Sequence, residues 1–113
     1  MPFINVKTNV SVSQESAADI KQGLGLAITA IPGKTEDWLM VGIEPDYMLW
    51  FKGTSEPAAM VDVSLYGDAS HNAKTTLTSH ITGLLTDKLG ISSDRVYVKY
   101  HETDSWGWNG SNF

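Results

Sequence analysis

The second residue is the position in this chain with the least ordinary chemistry. Met1 is followed by Pro2, and a small penultimate residue such as proline favours removal of the initiator methionine. Removal would leave a prolyl secondary amine at the start of an apolar strand over residues 2–6. An ordinary α-amino group titrates at roughly 7.7 to 8.0, and burial or a nearby cation lowers that pKa. Such an amine could act as a general base near neutral pH.

Pro2 also has a simpler explanation. Proline donates no ladder hydrogen bond and is tolerated at strand ends and sheet edges. An N-terminal proline is therefore no proof of catalysis, and the support for chemistry must come from the rest of the chain.

The composition narrows the classes of function. The chain has 113 residues, of which 42% are hydrophobic and 19% charged, as expected for one globular domain. The formal net charge is -5 and no basic run occurs, so nucleic acid and anionic membranes are not expected partners. No cysteine is present, which excludes disulfides and thiolate chemistry. The three histidines lack the spacing of a metal site, so we expect no bound metal ion.

The hydrophobic pattern predicts four strands and two helices. Strands are expected over residues 2–6, 38–43, 58–65 and 95–101, with an edge hairpin over residues 47–51. Apolar residues recur at helical spacing after the N-cap Ser13, up to the break at Pro32-Gly33, and again over residues 73–89, where Gly90 ends the second helix. Gly23 and Gly25 weaken the first helix, which suggests close packing there.

These elements form two β-α-β units in tandem, an α+β class with halves at about residues 2–51 and 57–105 and a tail over residues 106–113. Right-handed crossovers place both helices on one face of a four-stranded mixed sheet. The strands read as apolar on both faces. We therefore expect the uncovered face to be buried by self-association of this single domain, residues 1–113.

The whole chain resembles the macrophage migration inhibitory factor family of the tautomerase superfamily. The matching segments are Met1-Pro2, Thr8-Asn9-Val10, Gly33-Lys34, Ser55-Glu56-Pro57, Asp94-Arg95-Val96-Tyr97 and Gly107-Trp108-Asn109 through Phe113. The resemblance implies a homotrimer whose sheets surround a solvent channel, with three active sites at the subunit interfaces. It also implies cofactor-free keto-enol tautomerisation of a small aromatic 2-oxo acid such as phenylpyruvate.

Carried over to this sequence, the resemblance makes Pro2 the residue that moves a proton between the enol hydroxyl and C3 of the substrate. Lys34 would bind the substrate carboxylate and lower the prolyl pKa through its charge. Alternatively, Lys34 is only a solvated lysine near a helix C-terminus, where a cation is favourable. The backbone N–H of Tyr66 would be a second donor to the carboxylate.

The remaining site residues are also implied by the resemblance. Tyr97 would enter from the neighbouring subunit, although it could simply pack on its strand. Lys99, where animal members commonly have asparagine, could favour substrates with an acidic distal end or could face solvent. The apolar surround would consist of aromatic residues that exclude water or pack the trimer edge: Phe3, Trp38, Trp106, Trp108 and Phe113.

Three functions are compatible with this resemblance. The expected one is a phenylpyruvate-type tautomerase, an isomerase that works through Pro2. The alternative is a secreted cytokine mimic that binds a host receptor and keeps only vestigial tautomerase activity. A third is another superfamily reaction, such as decarboxylation or dehalogenation, which usually needs further charged residues. We expect a cytoplasmic protein without a cleavable export signal, with non-classical secretion as the alternative.

Overall fold

A four-stranded mixed sheet organises the computed structural model, which describes residues 1–113. Its strands are β1 (Pro2–Thr8), β2 (Met40–Glu44), β3 (Ala59–Tyr66) and β4 (Val96–Thr103), in the order β2-β1-β3-β4. The strands within each half are parallel, β1 to β2 and β3 to β4. The antiparallel pair of β1 and β3 joins the halves. The predicted α+β fold of two tandem β-α-β units is confirmed.

The two helices begin and end at capping residues. In α1 (Gln14–Ala27) the Ser13 hydroxyl accepts a hydrogen bond from the Ser16 N–H at 3.0 Å. In α2 (His71–Leu89) the Ser70 hydroxyl accepts one from the Ala73 N–H at 3.1 Å. Such bonds satisfy N–H groups that have no partner within the helix. Neither helix has the length and apolarity needed to cross a lipid bilayer.

Both helices pack on the same face of the sheet, as predicted. The core is a single cluster of buried apolar side chains from α1, α2 and alternate positions of β1 and β3. Its fully buried members include Ile4, Val6, Ile20, Leu24, Val61, Val63, Leu65, Leu77, Ile81 and Leu85. Burial of each large aliphatic side chain contributes about 1.5–3 kcal/mol, so this face supplies most of the driving force for folding.

The expected close packing at the glycines of α1 is confirmed. A Cβ at Gly23 would lie 2.6 Å from a methyl carbon of Leu84 in α2, and one at Gly25 would collide with the Glu36 side chain. The two glycines lower the intrinsic stability of the helix, but their lack of a Cβ allows close contact with neighbouring elements.

In each half, the connection from helix to strand contains a left-handed glycine. Gly90 directly caps α2, whereas Gly33 follows the 3₁₀ turn Ile28–Ala30 after α1. Gly33 and Gly90 have φ angles of 80° and 69°, a left-handed conformation that favours glycine. Each glycine is followed by a single 3₁₀ turn, Glu36–Trp38 or Ser93–Arg95, before β2 or β4 begins. Trp38 thus lies in this turn and not in the strand, which begins at Met40.

The prediction that the strands are apolar on both faces is wrong. The face of the sheet away from the helices carries polar and charged side chains of β1, β3 and β4. Asp62 lies between Lys7 and Lys99, at carboxylate-to-ammonium distances of 3.9 Å and 3.1 Å. The Asn5 amide donates to the Glu44 carboxylate at 2.8 Å. This face is therefore mixed, since the exposed Met40 and Tyr97 side chains lie on it beside these polar groups.

The predicted hairpin over residues 47–51 is also wrong. This segment belongs to a loop over residues 45–58 whose only ladder contact is an isolated bridge between Phe51 and Thr54. Its carbonyl groups are bound by side chains instead of by a strand. The Arg95 guanidinium donates to the carbonyls of four loop residues, namely Phe51, Thr54, Glu56 and Pro57.

Asn9 fixes the same loop from the other side. Its amide nitrogen donates to the carbonyls of Leu49, Ser55 and Glu56, and its oxygen accepts from the Ala58 N–H at 2.9 Å. The loop therefore keeps its shape through two side chains that are distant from it in sequence.

Asn9→Ala is expected to lower the free energy of unfolding by about 2 kcal/mol, because several partly buried loop groups lose their partner. Urea unfolding at matched protein concentration measures the change. Asn72→Ala is the control, since the exposed Asn72 side chain makes no hydrogen bond within the protein. Equal stability of the two variants would contradict this role of Asn9.

Candidate active site

The N-terminus lies at the end of the sheet where β1 begins and β3 ends. Pro2 is buried and pairs with Leu65 across the antiparallel ladder. The next residue of β3, Tyr66, donates its backbone N–H to the Met1 carbonyl oxygen at 3.1 Å. The peptide unit that precedes Pro2 is therefore held against the last peptide of β3.

Lys34 approaches the same place from the first β-α-β unit. The turn after α1 is closed by a hydrogen bond from the Lys34 N–H to the Ile31 carbonyl at 3.1 Å. The half-buried Lys34 side chain then donates from Nζ to the Tyr66 carbonyl at 3.0 Å. Lys34 thus contacts one side of the Tyr66 residue while the N-terminus contacts the other.

The terminal amino group of the chain has an unusual acidity in this position. Burial, then the charge of Lys34 and a hydrogen bond with it, lower the pKa of the Met1 amino group from 8.0 to about 6. The direction follows because both a low-dielectric surrounding and a neighbouring cation disfavour the ammonium form. An amine at this end of the sheet is mostly neutral at pH 7 and can accept a proton.

Four aromatic rings form a continuous row that begins at Tyr66, whose backbone N–H contacts the Met1 carbonyl. The rings of Tyr66 and Phe113 have centroids 5.4 Å apart, and Phe113 stacks near Trp108 at 6.5 Å. Trp108 in turn meets the edge of Trp38 at 5.3 Å. Trp38, Trp108 and Phe113 are each about half exposed, so the row forms an open wall whose aromatic surface a ligand can reach.

A short hairpin brings the tail to this position. Its strands are β5 (Gly107–Trp108) and β6 (Ser111–Asn112), and both turn residues, Asn109 and Gly110, have positive φ angles as an Asn-Gly hairpin turn requires. The Phe113 N–H donates to the Trp106 carbonyl at 2.9 Å. Trp106 therefore holds the end of the tail through its backbone.

Phe3 follows Pro2 on β1 and lies on the opposite face of the sheet from the core. It is half-buried and pairs with Met40 and Ser64 on the two flanking strands. Its ring lies next to Gly42, where a Cβ would be 3.6 Å from it. Phe3 is thus adjacent to the amine in sequence and packs across the start of β2.

The structure does not bring Tyr97 and Lys99 to Pro2 within one chain. Tyr97 pairs with Met60, six residues before Tyr66, which corresponds to about 20 Å along β3. Its ring packs edge-on against Phe51 with centroids 4.9 Å apart. Lys99 forms its ion pair with Asp62 at 3.1 Å on the polar face, a contact that fits the solvent-facing alternative.

An apolar cavity of about 140 Å³ lies at this opposite end of the sheet. Its lining comes from the loop over residues 45–58, the start of β3 and the start of β4, including Trp50 and Tyr97. Within one subunit, the N-terminal amine and this cavity therefore lie at opposite ends of the sheet.

Glu102 supports the site, and sequence reasoning missed it. Its carboxylate accepts hydrogen bonds from Lys74 Nζ at 2.6 Å and from the Ala69 N–H at 2.7 Å. These bonds, the one from Lys74 first, hold the pKa of Glu102 below its usual value. They tie the segment after Tyr66 to β4. An acidic residue at a strand end and a lysine on a distant helix leave no local sequence signal.

No three histidine, aspartate or glutamate side chains come together in a group suited to a metal ion. The groups that converge on the N-terminus are one amine, one ammonium, one backbone N–H and aromatic rings. This set can bind a carboxylate, accept a proton and stack on an aromatic ligand.

Comparison with known proteins agrees with this architecture. A family model described as macrophage migration inhibitory factor (MIF) matches residues 1–113. The rat macrophage migration inhibitory factor is 35% identical over 100% of this chain and 99% of its own length. The crystal structure of Leishmania major MIF2 superposes with a TM-score of 0.94 at 32% identity, covering 100% of this chain and 97% of that one.

A mouse D-dopachrome decarboxylase is also similar, at 29% identity over 94% of this chain and 90% of its own length. The mixed sheet with two covering helices defines the class of tautomerase-fold proteins. The chain belongs to the macrophage migration inhibitory factor family.

Proposed function

We propose that the protein is a cofactor-independent keto-enol tautomerase of phenylpyruvate-type 2-oxo acids. Pro2, freed by removal of Met1, is the general base and acid. The observation that carries the proposal is the N-terminal position itself, where burial and Lys34 lower the pKa of the Met1 amino group to about 6 and are expected to lower that of the Pro2 amine after processing. A base with a pKa near the working pH combines a large neutral fraction with useful basicity.

The reaction needs three groups in this proposal. Lys34 Nζ and the Tyr66 N–H bind the substrate carboxylate, a charge-assisted pairing that fixes the position of the substrate. The Pro2 nitrogen takes the proton of the enol hydroxyl as the carbonyl forms. The resulting prolyl ammonium then gives a proton to C3, which restores the neutral amine and yields the keto acid.

The aromatic row acts as the binding surface for the substrate ring. Tyr66, Phe113, Trp108 and Trp38 present adjacent faces and edges at centroid distances of 5.3 to 6.5 Å. Offset and edge-to-face contacts with such rings favour an aromatic ligand. Phe3 and Trp106 complete the apolar surround and reduce access of water to the proton-transfer atoms.

A homotrimer with sites at subunit interfaces would explain why Tyr97 and Lys99 lie far from Pro2 within one chain. Large apolar side chains are exposed along the edge strands and the loop over residues 45–58: Met40, Met48, Trp50 and Tyr97, at 59–83% exposure. Unpaired sheet edges and exposed apolar groups favour association. A neighbouring subunit would then supply Tyr97, and Lys99 beside it, to the Pro2 site of the next.

Only the processed chain is expected to consume the enol. The sample with Pro2 at its verified N-terminus should remove the enol absorbance of phenylpyruvate. The sample that retains Met1 should show less than about 1% of that rate, because its Pro2 nitrogen is an amide that accepts no proton and its Met1 amine lies one residue away from the required position. General-base catalysis contributes about 10²–10⁴-fold. Mass spectrometry verifies both N-termini. Equal rates would contradict Pro2 as the base.

Binding to a host receptor is the second candidate function. The curated relatives are named macrophage migration inhibitory factor, and this name is the observation that favours it. A processed Pro2→Gly chain separates the two functions. Loss of turnover with unchanged binding to macrophages would assign the two activities to different surfaces.

A further inference from the structure

In the chain that retains Met1, the first residue occupies the site that the substrate would need. The Tyr66 N–H donates to the Met1 carbonyl oxygen at 3.1 Å. Lys34, which contacts the Tyr66 carbonyl at 3.0 Å, also lies close enough to the Met1 amino group to lower its pKa. Both groups assigned to the substrate carboxylate therefore have Met1 as a neighbour.

The Tyr66 N–H cannot bind the Met1 carbonyl and a substrate carboxylate at the same time. A backbone N–H carries one hydrogen and makes one strong, well-aligned bond. With Met1 present, that bond goes to a carbonyl oxygen of the chain itself. With Met1 removed, the Tyr66 N–H has no partner in a partly buried place, and such a donor favours a new acceptor.

We propose that Met1 is an internal occupant of the carboxylate position, so that its removal opens the site to anionic ligands as well as exposing the base. The inference rests on the proposed function, because it assigns Lys34 and the Tyr66 N–H to a 2-oxo acid carboxylate. It goes beyond the amide bond at Pro2. That bond alone would stop proton transfer and leave ligand binding intact.

The test is a binding measurement with 3-phenylpropionate, an aromatic carboxylate that has no keto group and cannot tautomerise. Calorimetry gives the Kd, and the amide resonance of Tyr66 reports the donor directly. Processed wild type and processed Pro2→Gly should bind with similar Kd. The chain with Met1, released from a fusion cleaved just before it, should bind at least about tenfold more weakly, with its Tyr66 amide resonance unmoved.

A second variant separates the Met1 carbonyl from the Met1 side chain. Met1→Ala, produced from the same fusion, keeps the carbonyl and removes the thioether. It should bind the probe as weakly as the chain with Met1. Recovery of binding in Met1→Ala would overturn the inference, since the side chain alone would then block the site.

Two further outcomes keep this inference distinct from the proposed function. Equal binding by the chains with and without Met1 overturns the inference, while turnover of phenylpyruvate by the processed chain leaves the proposed function standing. Absence of both binding and turnover in the processed chain contradicts the proposed function and the inference with it.

Discussion

Pro2→Gly in the processed chain is expected to lower kcat/KM for the enol of phenylpyruvate by about 100-fold or more. Pro2 is buried at the start of β1, and its ring fixes the backbone φ angle and the direction of the amine. Glycine supplies a primary amine that rotates freely, so the nitrogen no longer has one position against the substrate. Initial rates of enol loss, with each N-terminus verified by mass, measure the effect.

The matched control for this change is a proline in the loop over residues 45–58. Pro57→Ala keeps the carbonyl that accepts from Arg95 Nε at 2.9 Å and lies away from the N-terminus. It should leave kcat/KM unchanged. Full activity in Pro2→Gly, with the fold intact by circular dichroism, would rule out the prolyl amine as the base.

Lys34→Gln is expected to change both the rate and its pH dependence. Loss of a charge-assisted bond to the carboxylate costs about 1.5–3 kcal/mol, which corresponds to a fall in kcat/KM of roughly 10- to 100-fold. The neutral amine is the active form, so kcat/KM rises with pH through the amine pKa. Lys34 lowers the pKa of the Met1 amino group at this end of the sheet. We expect it to lower the pKa of the Pro2 amine in the same way, so its removal should move the acidic limb to higher pH.

Two controls isolate the charge of Lys34 in this experiment. Lys34→Arg keeps a cation near the amine and should retain the position of the acidic limb. Lys88→Gln removes a lysine at the end of α2, where it lies near Asp87, and should alter neither quantity. An acidic limb that stays fixed in Lys34→Gln would show that Lys34 does not set the pKa of the base.

Most of the fold could be predicted because its signals are local. The apolar spacing of α1 and α2, the cap at Ser13 and the left-handed glycines Gly33 and Gly90 each act over a few residues. The tandem repeat then leaves few arrangements of the sheet, since crossover connections are right-handed. The structure has the two β-α-β units and the four-stranded mixed sheet that the sequence predicts.

The errors arose where long-range contacts decide the structure. Residues 47–51 have the apolar content of a strand, yet Asn9 and Arg95 bind the loop carbonyls that a strand would need for its ladder. On β3, Asp62 and Ser64 interrupt an otherwise apolar run. The importance of Asp62 comes from its ion pairs with two lysines on neighbouring strands. Neither arrangement is visible in a window of consecutive residues.

The candidate site is recognisable in sequence only through the resemblance. Lys34 and Tyr66 are 32 residues apart and meet because β2 begins, and β3 ends, at the same end of the sheet. The aromatic row adds Phe113 from the tail. The placement of Tyr97 and Lys99 in the same site stays a prediction, because on their own chain they lie toward the opposite end of β3.

The most direct test of the central claim is an NMR titration of the prolyl amine in processed protein labelled with ¹⁵N-proline, beside the pH profile of kcat/KM. We predict a Pro2 pKa below the ordinary α-amino range of about 7.7–8.0 that coincides with the acidic limb of the profile. A Pro2 pKa within the ordinary range, or an acidic limb at a different pH, would contradict the claim that this buried amine is the catalytic base.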